Sequence, residues 1–317
     1  MKKTYSALPS MKERFSRYAT ASTSYQILNP DISHWTQSKT LLGFKKAFGW
    51  TIVAGEPVGP LVEQAAAMTA FEASHPPVAY FAAEEGFYHR FRDSHPHTVY
   101  LGSQPVWTPE NWQAAMRHPS LRYQCHRAKN KGICVSEMSA SAVRANTTFA
   151  TLRQTWLAQH GLPPMHFLVE TDVLASPGSR RFIGATQGNQ LVGMLVLAPI
   201  SGRSGYLVEV AMRHPNAPNG TVEYMLDQVF CSISDIQMLT LGLSPLRPSP
   251  WQSRNPRWIR IFFAMLRCFG SPFYDFMGVN RFKEKCRPGS WEPLFLMSRH
   301  RITPQTLAAV AKIFLSV

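Results

Sequence analysis

The sequence predicts a mixed α/β protein made of two successive units, and three observations support this prediction. Of its 317 residues, 45% are hydrophobic and 12% aromatic, which suffices for two modest domains with packed cores and argues against disorder. Short runs rich in β-branched and aromatic residues alternate along the chain with longer helical patterns. No stretch reaches about 18 uninterrupted apolar residues, so the sequence predicts no membrane-spanning helix.

The first predicted unit follows from β-rich runs separated by alanine-rich and basic helical segments. Its predicted elements are, in order, strand 50–53, helix 60–74, strand 78–81, helix 82–92, strand 98–101, one or two basic helices within 112–131, and strand 133–137. Gly132 stands where a helix C-cap prefers glycine, so it separates the basic helices from the last strand.

The same alternation begins again near residue 140. The predicted elements of this second unit are helix 142–160, strands 165–170, 181–186, 190–199 and 205–212, and a helix that opens at Asn219 and Gly220. We therefore expect an N-terminal extension over residues 1–24, a first subdomain over 25–140 and a second subdomain, with the active site, over 141–317.

Charge and cysteine content restrict the function classes. Lys and Arg number 33 against 19 Asp and Glu, a net charge of +14 that favours a polyanionic partner such as nucleic acid or anionic lipid. The five cysteines show no C-x-x-C spacing, and His89, His95 and His97 lack a metal-ligand pattern, so neither a disulfide framework nor a metal site is predicted. The basic N-terminus has no apolar core of a secretory signal, which favours a cytoplasmic location, with peripheral contact to the inner face of the membrane as an extension.

Two charged residues on the predicted strand 205–212 and just after it are candidate catalytic groups. Glu209 and Arg213 stand four residues apart, so on a regular strand both side chains point to the same face. An acid and a base could then serve one site at the carboxyl end of this strand. A solvated strand face or a structural ion pair would give the same pattern.

The turn after this strand leads into a helix N-terminus, which is suited to bind anions or carbonyl oxygens. Asn219 is predicted as the N-cap, with Gly220 beside it, and Glu223 lies in the first turn, where the helix dipole favours an acidic residue. Free N–H groups there can hold an ester carbonyl, and a nearby carboxylate can hold an α-ammonium. Capping alone also explains these residue types.

Two basic segments are candidates for anion binding. On a predicted strand, Arg281, Lys283, Lys285 and Arg287 would form one cationic face, unless they protect a solvated edge strand. On the basic helix, a second set covers much of the surface and suits a phosphate backbone, or else a solvated face: Arg122, Arg127, Lys129 and Lys131. Ser244, in the segment 241–245 that is predicted as a strand ending in a turn, is a further predicted substrate contact.

A third basic segment, 254–269, joins arginines to aromatic and aliphatic residues in a helical pattern. Such a helix can lie on a bilayer surface. It can equally pack into the core, with the arginine head groups reaching solvent.

Five segments together resemble one family. They are GWTIVAGEPVGP (49–60), SLRYQCHRAKNKG (120–132), YLVEVAMRHPNAPNGTVEYMLDQVF (206–230), LTLGLSPL (239–246) and YDFMGVNRFKEKCRPGSWEP (274–293). In this order they resemble the C-terminal, cytosolic domain of the phosphatidylglycerol lysyltransferases, or aminoacyl-phosphatidylglycerol synthases, over residues 25–296. The resemblance implies a tandem pair of GNAT-type acyltransferase subdomains. Val210 occupies the position at which this family commonly has an aspartate.

The resemblance also implies a reaction, in which an aminoacyl group moves from aminoacyl-tRNA to a hydroxyl of an anionic lipid such as phosphatidylglycerol. Glu209 would take the hydroxyl proton or bind the α-ammonium, and Arg213 and Asn219 would bind the carbonyl and the terminal adenosine. The acceptor phosphate would be bound by three cations: Lys283, Lys285 and Arg287. No cofactor is implied.

Two alternatives remain open on the sequence. The turn 213–220 has prolines where an ordinary GNAT enzyme has the glycines that hold the pyrophosphate of CoA. A GNAT-fold acyltransferase acting on a small molecule or peptide would therefore need another donor. The second alternative is a non-catalytic relative that binds tRNA or a membrane, and Val210 is the residue that favours it.

Overall fold

A computed structural model describes residues 8–158, 167–168, 174, 178–269 and 275–315. The helices are α1 (Leu8–Tyr18), α2 (Leu61–Ser74), α3 (Glu85–Phe91), α4 (Pro109–Met116), α5 (Pro119–Asn130), α6 (Ala140–Ala145), α7 (Phe149–Ala158), α8 (Thr221–Ser232), α9 (Arg257–Phe269), α10 (Phe276–Lys285) and α11 (Pro304–Leu315). The strands are β1 (Ser33–Gln37), β2 (Thr40–Ala47), β3 (Trp50–Ala54), β4 (Val78–Glu84), β5 (His97–Trp107), β6 (Ile133–Met138), β7 (Arg181–Gln187), β8 (Gln190–Ile200), β9 (Gly205–Arg213), β10 (Met238–Thr240), β11 (Ser244–Pro245) and β12 (Ser290–Ser298).

All twelve described strands belong to one mixed sheet, so the predicted mixed α/β class is confirmed. The strand order is β1-β2-β3-β4-β12-β5-β10-β9-β8-β7-β6, with β11 pairing β5. Strand β12, which comes last in the chain, lies between β4 and β5 and is antiparallel to both. The sheet therefore runs without a break through both predicted subdomains, and the division near residue 140 stays a prediction.

Most predicted elements have structural counterparts, with shifted ends. The predicted helix 82–92 begins only at Glu85, because β4 continues to Glu84. The basic region 112–131 forms two helices, which are separated at Pro119. The predicted helix 142–160 is likewise divided, into α6 and α7, and its last two residues lie outside the described residues. Of the predicted strand 165–170, only residues 167–168 are described.

The prediction of a strand over residues 281–287 is wrong, because most of this segment is helix. Helix α10 ends at Lys285, and its buried residues Asn280, Lys283 and Cys286 recur every three residues. This spacing is the period of a helix and not the period of two that a strand requires. The four cations of this segment therefore do not form one face.

Strand β9 contains a bulge that changes which residues share a face. Val208 pairs with Leu197 and Val210 pairs with Val196, which leaves Glu209 as an extra residue without a partner in β8. Such a bulge shifts the alternation of side chains by one position. Parallel pairing with β10 extends only to Leu207 and Thr240, so the two strands part beyond this point.

Candidate active site

The residues around the end of β9 enclose a cleft of about 740 Å³. Its lining comes from α5, from β9 and the turn after it, from α8 and from α10: Ser120, Leu121, Gln124, Ala211, Arg213, Asn219, Gly220, Val222, Glu223, Phe282 and Lys285. Five residues predicted from the sequence are among them, namely Arg213, Asn219, Gly220, Glu223 and Lys285. The structure therefore brings together the main part of the predicted site.

Arg213, the last residue of β9, fixes the turn that follows. Its Nη1 donates a hydrogen bond to the carbonyl oxygen of Ala217 at 2.8 Å. The N–H of His214 donates to the carbonyl of Val192, and the N–H groups of Asn216 and Ala217 donate back to His214. Since residues 215 and 218 are prolines, every N–H of residues 214–218 is either absent or engaged. This turn therefore has no free backbone donors with which to hold a pyrophosphate.

Gly220 is the N-cap of α8, which corrects the prediction that Asn219 has this role. Its φ of +93° lies in the left-handed region that favours glycine. A Cβ at this position would overlap the backbone carbonyl of Gln124 in α5. Gly220 thus allows the N-terminus of α8 to approach α5 closely. No side chain accepts a hydrogen bond at this cap, and Glu223 in the first turn lines the cleft.

Glu209 is not among the residues that line the cleft, whereas Arg213 is. Its side chain is only 1% exposed. Arg180 pairs with it through two hydrogen bonds, Nε to Oε2 at 2.6 Å and Nη2 to Oε1 at 3.0 Å. The same guanidinium donates to Oδ1 of Asn29 at 2.9 Å and lies 5.0 Å from the centre of the Tyr25 ring. Of the alternatives weighed for Glu209, the structural ion pair agrees with this geometry.

Lys283 is also withdrawn from the surface, in contrast to Lys285 and Arg287, which are exposed. Its Nζ donates to the carbonyl oxygens of Gly242 at 2.8 Å and Leu243 at 2.9 Å. Burial lowers the pKa of this ammonium to about 7. The side chain therefore holds the segment between β10 and β11 and does not offer its charge to a solvent-exposed anion.

Ser244 lies in the strand β11, directly after the segment that Lys283 holds. Its side chain is fully buried, and its Oγ has no hydrogen-bond partner among the described residues. The same holds for Oδ1 of Asn280, one turn before Lys283 in α10. Ser244 is thus placed behind the wall of the cleft and not on its surface.

The predicted tRNA-binding residues follow the outer side of α5. Arg122, Lys129 and Lys131 are exposed and Arg127 is half-buried, while the opposite side of α5 is buried against α8. The first turn of the same helix contributes Ser120, Leu121 and Gln124 to the cleft. A basic surface therefore begins at the edge of the cleft.

The sequence reasoning missed a cluster of carboxylates at the middle of the sheet. Glu292 in β12 forms two hydrogen bonds with Arg203, at 2.8 and 3.1 Å. Nε2 of Gln104 bridges Glu292 and Glu84 at 3.0 and 3.1 Å, and the N–H of Glu84 donates to Glu56 at 2.8 Å. The sequence contains a signal for this cluster, because Glu56 comes just after the apolar strand β3 and Glu84 ends the apolar strand β4. Since β3 and β4 are parallel, both carboxylates reach the same edge of the sheet.

Burial raises the pKa of two of these acids, Glu56 and Glu84. Desolvation, together with the neighbouring carboxylate of Glu84, raises the pKa of Glu56 to about 8. Desolvation also raises the pKa of Glu84, against the lowering effect of the Ser22 N–H and of Arg203. A pKa of about 8 favours the protonated form of Glu56 near neutral pH.

The continuous mixed sheet, the bulged β9 that parts from a parallel β10, and the polar cleft beside them are the fold features that carry the candidate site. The chain belongs to the family of the phosphatidylglycerol lysyltransferase C-terminal domain, whose model matches residues 12–298.

Relatives of known name agree with this assignment. The chain is 25% identical over 190 residues to the lysylphosphatidylglycerol biosynthesis bifunctional protein LysX of Mycolicibacterium vanbaalenii, a match that covers 55% of this chain but only 17% of LysX. The fold is similar to that of the C-terminal domain of a putative lysylphosphatidylglycerol synthetase from Agrobacterium fabrum, with a TM-score of 0.80, 15% identity and coverage of 98% and 97% of the two chains. It is also similar to L-PGS from Bacillus licheniformis, with a TM-score of 0.76, 16% identity and coverage of 96% and 94%.

The different environments of the two lysines of α10 predict different effects on stability. Lys283→Ala should lower the free energy of unfolding by about 2 kcal/mol, because two carbonyl groups lose their donor. Lys285→Ala should change it by less than about 0.5 kcal/mol, because this side chain is exposed. Urea denaturation of both variants measures the difference. Equal stability of the two variants would contradict the burial of Lys283.

Stability should also depend on pH through Glu56. Between its ordinary pKa of 4.5 and its raised pKa of about 8, the folded protein keeps the Glu56 proton and the unfolded chain does not. This group's contribution to stability is therefore lost as pH rises through that window. Glu56→Gln, which cannot ionise, should show a smaller decrease in Tm from pH 5 to pH 8 than the parent.

The matched control for this experiment is Glu13→Gln, since Glu13 is exposed on α1. Its Tm should follow the parental pH dependence. A Glu56→Gln curve parallel to the parental curve would show that this carboxyl does not carry the effect.

Proposed function

We propose that this protein is an aminoacyltransferase that moves an aminoacyl group from aminoacyl-tRNA to a hydroxyl of an anionic lipid such as phosphatidylglycerol. Membership in the lysyltransferase family supports the reaction class. The observation that carries the proposal is a cleft lined by Arg213, Asn219, Glu223 and Lys285 that opens beside the basic surface of α5. A site with cations on two sides suits a reaction in which both donor and acceptor carry phosphate.

The distribution of positive charge supports α5 as the binding surface of the aminoacyl-tRNA donor. The exposed cations of α5, Arg122, Lys129 and Lys131, are spread along the helix and suit the backbone of a nucleic acid better than one small anion. With the tRNA acceptor arm on this surface, the terminal adenosine and its ester reach the cleft at Ser120 and Gln124.

The aminoacyl ester is already activated, so catalysis consists of positioning and charge stabilisation. The lipid hydroxyl oxygen forms a bond to the ester carbonyl carbon, the bond from that carbon to the ribose oxygen breaks, and the hydroxyl proton passes to the ribose oxygen. Arg213 and the uncapped first turn of α8 face the developing oxyanion. Glu223 binds the α-ammonium. Glu209, for which this role was predicted, is buried in its pair with Arg180. Lys285, with Arg287 beyond the helix end, binds the acceptor phosphate.

Transfer can be measured with labelled aminoacyl-tRNA mixtures and vesicles that contain phosphatidylglycerol, followed by recovery of labelled lipid in the organic phase. Glu223→Gln keeps the shape of the side chain and removes its charge, so kcat/KM should fall about 10- to 100-fold for a lost charged contact of roughly 1.5–3 kcal/mol. Glu13→Gln on the exposed side of α1 is the matched control. Parental transfer by Glu223→Gln would remove this residue from the site.

Donor choice gives a separate prediction. Because the turn 214–218 has no free N–H groups, acetyl-CoA and long acyl-CoA should bind with a Kd no tighter than about 1 mM, as measured by calorimetry. Micromolar binding of CoA would favour an acyltransferase acting on a small molecule or peptide. Binding of tRNA without any labelled lipid would instead favour a non-catalytic relative, in line with Val210, which is buried in an apolar cluster.

A further inference from the structure

Helix α9 (Arg257–Phe269) carries more apolar surface than its packing uses. Ile259 and Phe263 are buried in the largest core cluster. Three other apolar residues of the helix remain in solvent: Trp258 is 36% exposed, Ile261 53% and Met265 50%. At about 100° per residue, these three side chains lie within about 60° of one another around the helix axis. We call these three residues the exposed apolar stripe.

The surroundings of the exposed apolar stripe are cationic. From residue 236 to residue 274 the sequence contains no aspartate or glutamate and five arginines. Arg257 and Arg260 are exposed on the sector of α9 next to the stripe, and Arg254 is exposed just before the helix. An apolar stripe with a border of arginines is the pattern of a helix that lies in the plane of a membrane surface.

A second copy of this chain fits the exposed apolar stripe less well than a lipid surface. Pairing two such stripes would bring together two borders of arginines, and the segment 236–274 of either copy contains no acidic residue to offset them, so like charges would repel. An anionic bilayer satisfies both features, because its acyl chains accept the apolar residues and its phosphates accept the arginines. None of the described helices is long and apolar enough to cross a bilayer, so contact by α9 would be superficial.

Helix α9 is also joined to the wall of the cleft. Its buried residues share a cluster with Leu246, whose carbonyl accepts a hydrogen bond from Arg267 at 3.5 Å. Leu246 lies just beyond β11, and the segment before β11 is held by Lys283 of α10. Helix α10 in turn lines the cleft through Phe282 and Lys285. The contacts of Leu246 and Lys283 therefore connect α9 with the wall of the cleft.

We propose that α9 is the membrane-docking element of this protein, with Trp258, Ile261 and Met265 inserted below the headgroups of an anionic bilayer and Arg254, Arg257 and Arg260 on its phosphates. The choice of a lipid partner rests on the proposed function. The test measures binding without turnover, so the two proposals can fail separately.

The test is co-sedimentation with vesicles of phosphatidylcholine alone and of phosphatidylcholine with 30 mol% phosphatidylglycerol. The parent should bind the anionic vesicles and dissociate as salt rises, because the screening length falls from about 10 Å at 0.1 M to about 3 Å at 1 M. Equal binding to neutral vesicles would overturn the role of the arginines.

Two sets of variants assign the binding to α9. Changing Trp258, Ile261 and Met265 together to serine should weaken vesicle binding at least tenfold. The matched control is Leu61→Ser with Val62→Ser on α2, where both side chains are also exposed, at 63% and 90%. The control should bind as the parent does. Parental binding by the triple serine variant would overturn the proposal.

For the charges, Arg254, Arg257 and Arg260 are changed together to glutamine. At about 1 kcal/mol for each arginine near an anionic surface, binding should fall about 100-fold. The control removes the same number of exposed charges elsewhere, by Lys39→Gln, Lys46→Gln and Lys312→Gln. Equal losses in both triple variants would show that net charge alone, and not α9, attracts the vesicles.

Two further measurements separate the remaining outcomes. Sedimentation velocity of the parent and the serine variant tests for a dimer, and a dimer that only the parent forms, with unchanged vesicle binding, would assign the stripe to a second copy. Transfer to short-chain phosphatidylglycerol below its micellar concentration should be the same in parent and serine variant. If transfer to this lipid is absent in both while vesicle binding differs between them, the docking proposal stands and the proposed function fails.

Discussion

The buried pair of Arg180 and Glu209 determines how the centre of this protein is organised. Both side chains are almost inaccessible to solvent, so each depends on the other to offset the cost of leaving water. The guanidinium also contacts Asn29 and Tyr25, which come from the first predicted subdomain, so one cation joins the two halves of the chain. Because Glu209 is the extra residue of a bulge, the pair also stabilises the change of register in β9. Beyond the bulge, Arg213 lines the cleft and Val210 belongs to an apolar cluster.

Two contacts position the walls of the cleft, one at a glycine and one at a buried lysine. Gly220 brings α8 against the carbonyl of Gln124, so α5 and α8 meet at one end of the cleft. Lys283 performs a comparable task from α10, since it holds two consecutive carbonyls of the segment after β10. The charged residues that remain free for substrates, Glu223 and Lys285, lie on the surfaces that these contacts position.

Features that have a local signature in the sequence could be predicted, and features without one could not. The strand, turn and helix around Arg213, Asn219 and Glu223 are recognisable because proline, asparagine and glycine mark the turn. The bulge at Glu209 has no such mark, and neither has the pairing with Arg180 that buries its carboxylate. In the segment 281–287, the alternating charges resemble the pattern of a strand. The buried residues of this region, Asn280, Lys283 and Cys286, have helical spacing, but a hydrophobicity pattern does not detect them. The carboxylates of Glu84 and Glu292 are more than 200 residues apart and meet only through the insertion of β12.

In the proposed reaction, a strongly basic protein must also bind a cationic aminoacyl group. Exposed cations lie on α5 and around α9, where the proposed phosphate-containing partners would approach. Several acidic groups are paired inside the protein: Glu209 is neutralised by Arg180, and the cluster of Glu56, Glu84 and Glu292 is balanced by Arg203 and by the raised pKa of Glu56. Glu223 is the carboxylate that lines the cleft, so an α-ammonium entering between two cationic surfaces meets a negative charge at that point. On the proposed function, attraction of the anionic carriers and recognition of the cationic aminoacyl group therefore fall to separate groups of residues on one surface.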